Sequence, residues 1–255
     1  MAKDRSPRRR PETTARQNPK PQRRFRWRLL LALFPIVLVA GGTYVALRSP
    51  YLTVEKIKVQ GTQNLDQASL AAISGLQGKS MLRLPLAQAT QQLDAIPAVK
   101  TATIERNWPN AVTITIQERV PVAFWSIGGH DYPVDQDGVV LSSGAPDGPA
   151  PRIVEQGNDR IMSPGDRVHP DAVALALRIM TEAPSAFDQS VKELDYQTDV
   201  GVTVVFSGGM RVTFGDARSY EYKIAVLAAL SDDLTARGYT PKSVDLRFGG
   251  RVTYE

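Results

Sequence analysis

TATIERNWPNAVTITIQE, residues 101–118, decides the fold of the first globular part of the chain. Thr101–Arg106 and Ala111–Glu118 read as strands on either side of the turn formers Asn107, Trp108, Pro109 and Asn110. In the second strand Val112, Ile114 and Ile116 alternate with Thr113, Thr115 and Gln117, so one face is buried and the other wet.

Upstream, Leu52–Gln60 (LTVEKIKVQ) reads as another strand and Gly61–Asn64 as a turn. Leu65 and Asp66 supply the staple and N-cap of a short helix containing Leu70 and Ile73, which Gly75 and Gly78 end. Leu86–Ala95 forms a second helix, closed by Pro97. The order is strand, helix, helix, strand, strand, with both helices able to cover one face of a small sheet.

Downstream the pattern turns β-rich. Val122–Ile127 is a strand, Gly128-Gly129 a turn, and Asp135-Gln136-Asp137-Gly138 a second turn before Val139–Leu141. The two aspartates lack the further regularly spaced ligands of a calcium loop, so the turn reading stands. Residues 142–170, rich in Ser, Gly, Pro and Asp, read as a long surface connection. Asp171–Glu182 is a helix with Val173, Leu177 and Met180 as its apolar stripe, followed by a strand at Val191–Tyr196. Val202, Val204, Phe206, Val212 and Phe214 mark a hairpin reversing at Gly208-Gly209. Asp216 is placed to cap a helix striped by Tyr220, Ile224, Leu227, Leu230 and Leu234 and ending before Gly238. Ser243–Phe248 (SVDLRF) is a last strand with Val244 and Leu246 inward, and Gly249-Gly250 turns the chain into Arg251–Glu255. The fold class is α+β.

The N-terminus is of another kind. Leu29–Leu47 contains no charge, and as a helix it is about 28 Å long, enough to cross a bilayer once. Residues 1–28 carry eleven Lys and Arg against Asp4 and Glu12, which predicts a cytoplasmic N-terminus and an exported C-terminus. The tail has too few apolar residues to fold, so it is expected to be disordered, acting as topology signal and tether rather than a nucleic-acid or lipid ligand. A cleaved signal with Ala40 and Gly42 before the cut is the rival reading. Against it stand the long basic region and the apolar residues continuing to Leu47.

With no cysteine in the chain, disulfides, thiolate metal sites and thiol nucleophiles are excluded. The two histidines, His130 and His169, have no partner nearby in sequence, and neither a Gly-x-Ser-x-Gly elbow nor a phosphate-binding glycine loop occurs. No catalytic residue, metal or cofactor is expected. A pair of distant carboxylates acting on wall glycan is the enzymatic alternative.

VEKIKVQGTQNL (54–65), AIPAVKTATIERNWPNAVTITIQERVPVAFW (95–125), YPVDQDGVV (132–140) and, near the end, SVDLRFGGRVTYE (243–255) together resemble the bacterial FtsQ (DivIB) family of cell-division proteins. Ala98 departs from the family pattern, which often has an aromatic residue there. The resemblance implies a POTRA domain at 51–119 and a C-terminal, mainly antiparallel β domain with two helices at 120–255, behind one transmembrane helix in the cytoplasmic membrane at the division septum. It implies a non-enzymatic divisome scaffold that bridges early and late division proteins and regulates septal wall synthesis. Its C-terminal strands would receive FtsB-like and, through them, FtsL-like proteins. The residues so implicated are Val244, Asp245, Leu246, Arg247, Phe248, Arg251, Val252 and Tyr254, with Arg247 facing an acidic partner residue. Phe248 either packs on that partner or closes the core. POTRA units also occur in outer-membrane assembly and secretion proteins, but those continue into a barrel, and no series of roughly ten-residue alternating strands follows here.

Overall fold

The computed structural model of the 255-residue chain describes residues 24–48, 50–187, 189–239, 241–248 and 251–255. Met1–Pro50 and Tyr51–Glu255 form two compact units. The first contains α1 (Arg24–Arg48), which takes in the apolar run and carries Pro35. Among the described residues no helix is long and apolar enough to cross a membrane. Residues 1–23, most of the expected disordered tail, lie outside the described residues.

In the second unit, β1 (Lys56–Gln60), α2 (Gln67–Ser74), α3 (Leu86–Asp94), β2 (Val99–Asn107) and β3 (Ala111–Glu118) follow in the expected order. The sheet runs β1-β3-β2, with β3 parallel to β1 and antiparallel to β2. Val112, Ile114 and Ile116 face inward and pack with Leu70, Ala89 and Leu93 of the helices. The Asp66 carboxylate caps α2, accepting from Ser69 N at 2.9 Å, and Gly75 ends the helix at φ 62°. Of the two apolar residues named in this helix, Leu70 is buried and Ile73 is exposed. The first strand is also shorter than LTVEKIKVQ suggests. Leu52 belongs to a 3₁₀ turn, Thr53 bridges Ser80, and the Asn110 carbonyl takes the amides of Glu55 and Lys56, so regular pairing starts only at Lys56.

The C-terminal part contains β4 (Ala123–Ile127), β5 (His130–Val134), β6 (Arg152–Glu155), α4 (Pro170–Phe187), β7 (Val191–Gln197), β8 (Gly201–Phe206), β9 (Arg211–Gly215), α5 (Tyr220–Ala236), β10 (Ser243–Asp245) and β11 (Thr253–Tyr254). They build an eight-stranded sheet ordered β11-β10-β9-β8-β7-β6-β4-β5. Trp125, Ile153, Val204, Phe206, Val212 and Phe214 share one core with Val173, Ala176 and Ile179 of α4 and Tyr220 and Leu227 of α5.

Four sequence expectations are corrected here. The connection at 142–170 contains β6, which sits between β4 and β7 and runs parallel to both. A strand of four residues is too short to show alternation, although Ile153 is completely buried. With β9 also parallel to β10, the sheet is mixed rather than mainly antiparallel. On α4, which extends to Phe187, the buried side is Ala172, Val173, Leu175, Ala176, Ile179 and Ala183, while Leu177 and Met180 are only partly covered. Three alanines share this side with Val173, Leu175 and Ile179, so the spacing of the large residues alone does not mark it. Asp216 lies before α5 without capping it: its carboxylate accepts from Arg218 N at 3.0 Å, and its carbonyl accepts from the buried Lys223 Nζ at 2.9 Å.

The two sheets meet at Glu118–Ala123. Glu118 accepts the amides of Gln63, Asn64 and Leu65 at 2.8–3.1 Å. Burial alone would raise this carboxyl, but the three amides outweigh it and hold the pKa below the ordinary value. The next residue points the other way. Arg119 donates to Asp135 and Asp137, and Lys100 of β2 reaches Asp137 at 3.1 Å. Burial works against the Arg119 charge, and the two carboxylates overcome it and raise its pKa. Asp135, buried, also accepts the amides of Asp137 and Val139, which makes the Asp-x-Asp-Gly segment a tight turn. Gly138 closes it at φ 73°, where a Cβ would stand 2.6 Å from the Val168 carbonyl.

Candidate partner-binding edge

The long sheet has two ends with different chemistry. At one, β5 is followed by the Asp135 turn: Leu141 N donates to Pro133 O at 2.8 Å, Val134 bridges Val140, and Pro133 has no N–H to offer. At the other end lies β11, two residues long.

Register fixes which groups of β11 are spent. Ser243 and Glu255 exchange both backbone bonds, at 3.2 and 3.1 Å, and Val244 stands opposite Tyr254. In an antiparallel pair such exchange alternates, so the N–H and C=O of Tyr254 point away from β10. Val244 in turn faces β9, against which β10 is held by Arg211 N to Lys242 O at 3.0 Å and Leu246 N to Thr213 O at 2.9 Å. Tyr254 therefore presents a donor and an acceptor in the plane of the sheet, the chemistry an added strand needs.

The eight residues singled out from sequence divide into groups. Val244 and Leu246 are core residues, so their side chains face away from any partner. Val252 packs partly on the same core, and Arg251 and Tyr254 are exposed. Phe248 is 66% exposed, which decides against its closing the core. Arg247 is engaged inside the chain, with Nε 3.1 Å and Nη2 2.7 Å from the Asp245 carboxylate and its guanidinium 5.1 Å from the Phe248 ring. The bond from Arg247 pulls the Asp245 carboxyl below its ordinary value. A partner carboxylate would meet a guanidinium already half-neutralised.

Beside this edge a cleft of about 440 Å³ is lined by His169, Tyr196, Asp199, Asp216, Arg218 and Arg247. His169 rests on the Tyr196 ring at 4.9 Å, and His130 is exposed at the start of β5. Gly215 floors the cleft at φ 73°, where a Cβ would approach Arg247 Cγ to 2.9 Å. Sequence reading missed this cleft because its residues come from four separate segments; of its lining only Arg247 and Phe248 were singled out as site residues. Among the described residues no group of His, Asp and Glu could hold a metal ion.

A small helix-covered sheet ahead of a long mixed sheet is the arrangement expected of a POTRA-containing protein. Residues 52–119 match the model of the POTRA domain, FtsQ-type, and residues 123–247 that of the cell division protein FtsQ/DivIB, C-terminal. Cell division protein FtsQ of Chloroflexus aurantiacus is 28% identical over 232 residues, covering 88% of this chain and 84% of that protein. Its counterpart in Mycobacterium leprae is 31% identical over 234 residues, covering 90% and 66%. That of Burkholderia pseudomallei is 24% identical, covering 88% and 84%. The chain belongs to the FtsQ/DivIB family of cell-division proteins.

Proposed function

We propose that the chain is a non-enzymatic divisome scaffold. It spans the cytoplasmic membrane once through Leu29–Leu47, with the basic tail in the cytoplasm and residues 51–255 outside, and it gathers at the septum. An FtsB-like protein adds a strand to β11, an FtsL-like protein joins through it, and the assembly regulates septal wall synthesis. The observation that carries this reading is the outward N–H and C=O of Tyr254 at a two-residue edge strand, beside the exposed Phe248. Family membership supports the division role, and the uncharged run preceded by eleven basic residues supports the topology.

The role is tested with a fluorescent protein on the N-terminus in cells of the source organism, with and without depletion of the native copy. A midcell band, with filaments or failed septa on depletion, is expected. Uniform envelope fluorescence with normal septation would overturn the division role.

A further inference from the structure

We infer that the POTRA domain rests on the bilayer interface through an aromatic and basic patch at its span-proximal end, formed by Tyr51, Leu82 and Trp108 with Lys79 and Arg83. The inference rests on the single span proposed above.

Three stretches distant in sequence converge around residues 53–56. Thr53 bridges Ser80, which brings the short turns holding Tyr51 and Leu82 to the same end of the domain. Val54 N donates to Lys79 O at 2.9 Å, and Gly78 N to Val54 O at 2.9 Å. Asn110 accepts the amides of Glu55 and Lys56 at 2.8 and 3.2 Å, and its side-chain amide donates to Glu55 Oε2 at 2.8 Å, occupying the carboxylate at this end. Since β1 and β3 are parallel and both begin here, the turn carrying Trp108 lies at the same end.

Tyr51 is 80%, Trp108 56% and Leu82 41% exposed, and Lys79 and Arg83 are exposed with them. Leu82 lies between Met81, wholly buried, and Leu84, also buried, in a segment that otherwise directs its apolar side chains inward. Single exposed apolar residues need no explanation, but three grouped at one end do. Covalent geometry states what lies opposite. Tyr51 follows the apolar run by four residues, hence stands at most about 14 Å from its end. The headgroup layer there is about 5–8 Å deep on each side of the hydrocarbon core. Trp and Tyr are the side chains that settle in that layer, and Lys and Arg beside them are drawn to anionic headgroups. A docked POTRA end would restrict how residues 51–255 tilt on the membrane, so that β11 meets its partner in a constant orientation.

The test uses the full chain with Trp27→Phe, reconstituted into phosphatidylglycerol–phosphatidylcholine vesicles with or without lipid brominated near the headgroup. Trp108 and the buried Trp125 remain, and the Trp27→Phe, Trp108→Phe double variant supplies the Trp125 signal for subtraction. Expected are loss of most Trp108 emission in brominated vesicles, and recovery of it when Lys79→Glu and Arg83→Glu are added. Carbonate extraction of the same vesicles separates the two readings. Unquenched Trp108 in a chain that resists extraction refutes the docking alone; a chain that carbonate removes refutes the span and the docking with it.

Discussion

The two ends of the eight-stranded sheet solve the edge problem in opposite ways. Around the β5 end, charges and backbone groups are used up within the chain: Asp135 binds Arg119 and two amides, Asp137 binds Arg119 and Lys100, and Glu118 binds three amides. At β11, two residues stand at the margin with a donor and an acceptor directed outward. The β5 end is tied into the joint between the two sheets by the chain's own groups, whereas a short edge with outward backbone groups is the kind to which a further strand can be added. The difference can be broken or sharpened by substitution at each end.

The largest effect on stability belongs to Arg119→Ala. It leaves the Asp135 carboxylate buried without its cation, a change that costs about 3–5 kcal/mol when a buried pair loses one partner. Calorimetry of the full chain in nanodiscs should show a markedly lower melting temperature. If melting is unchanged, the joint is not held by this network.

Glu118→Ala comes next, orphaning three amides around Asn64 at a cost of about 1–3 kcal/mol. Hydrogen exchange of residues 63–65 should accelerate in the variant, and unchanged protection there would show that other groups order the turn.

Acid should act on the same joint. The Glu118 and Asp137 carboxyls are both held below their ordinary values, Asp137 chiefly by the Lys100 bond. A depressed folded-state pKa means stability present above the unfolded value, about 4, and lost as pH falls through the folded value. Melting temperature should therefore drop below about pH 4, and the drop should be smaller in Glu118→Gln. An equal drop in that variant would place the acid sensitivity elsewhere.

At the open end stability should barely respond. Phe248→Glu, at an exposed position, is expected to change folding stability by no more than about 0.5 kcal/mol while weakening FtsB-like binding about tenfold or more. Weak binding accompanied by a lower melting temperature would mean that Phe248 supports the fold instead.

The same contrast explains what was legible in sequence. The hairpin around Asn107–Asn110, the two helices before it and the Gly208-Gly209 reversal follow from local alternation and turn chemistry, and all are present. β6 was hidden because its burial comes from two parallel neighbours contributed by distant segments, and the inner side of α4 because alanines make up half of it. At the candidate edge, sequence read Val244 and Leu246 as inward, as they are, but left Phe248 undecided, since a three-residue strand is too short to show where alternation stops. That Arg247 is taken by Asp245 depends on a backbone bend at Leu246–Arg247, which no local pattern encodes.

Tyr254→Pro tests the central claim most directly. Proline at this position removes the outward N–H while sparing the Ser243–Glu255 bonds that hold β11 in place. The measurement is the affinity of the full chain in nanodiscs for the organism's FtsB-like protein, with melting temperature recorded alongside. Strand addition predicts at least about a tenfold loss of affinity at unchanged melting temperature; undiminished binding by a folded Tyr254→Pro chain would contradict it.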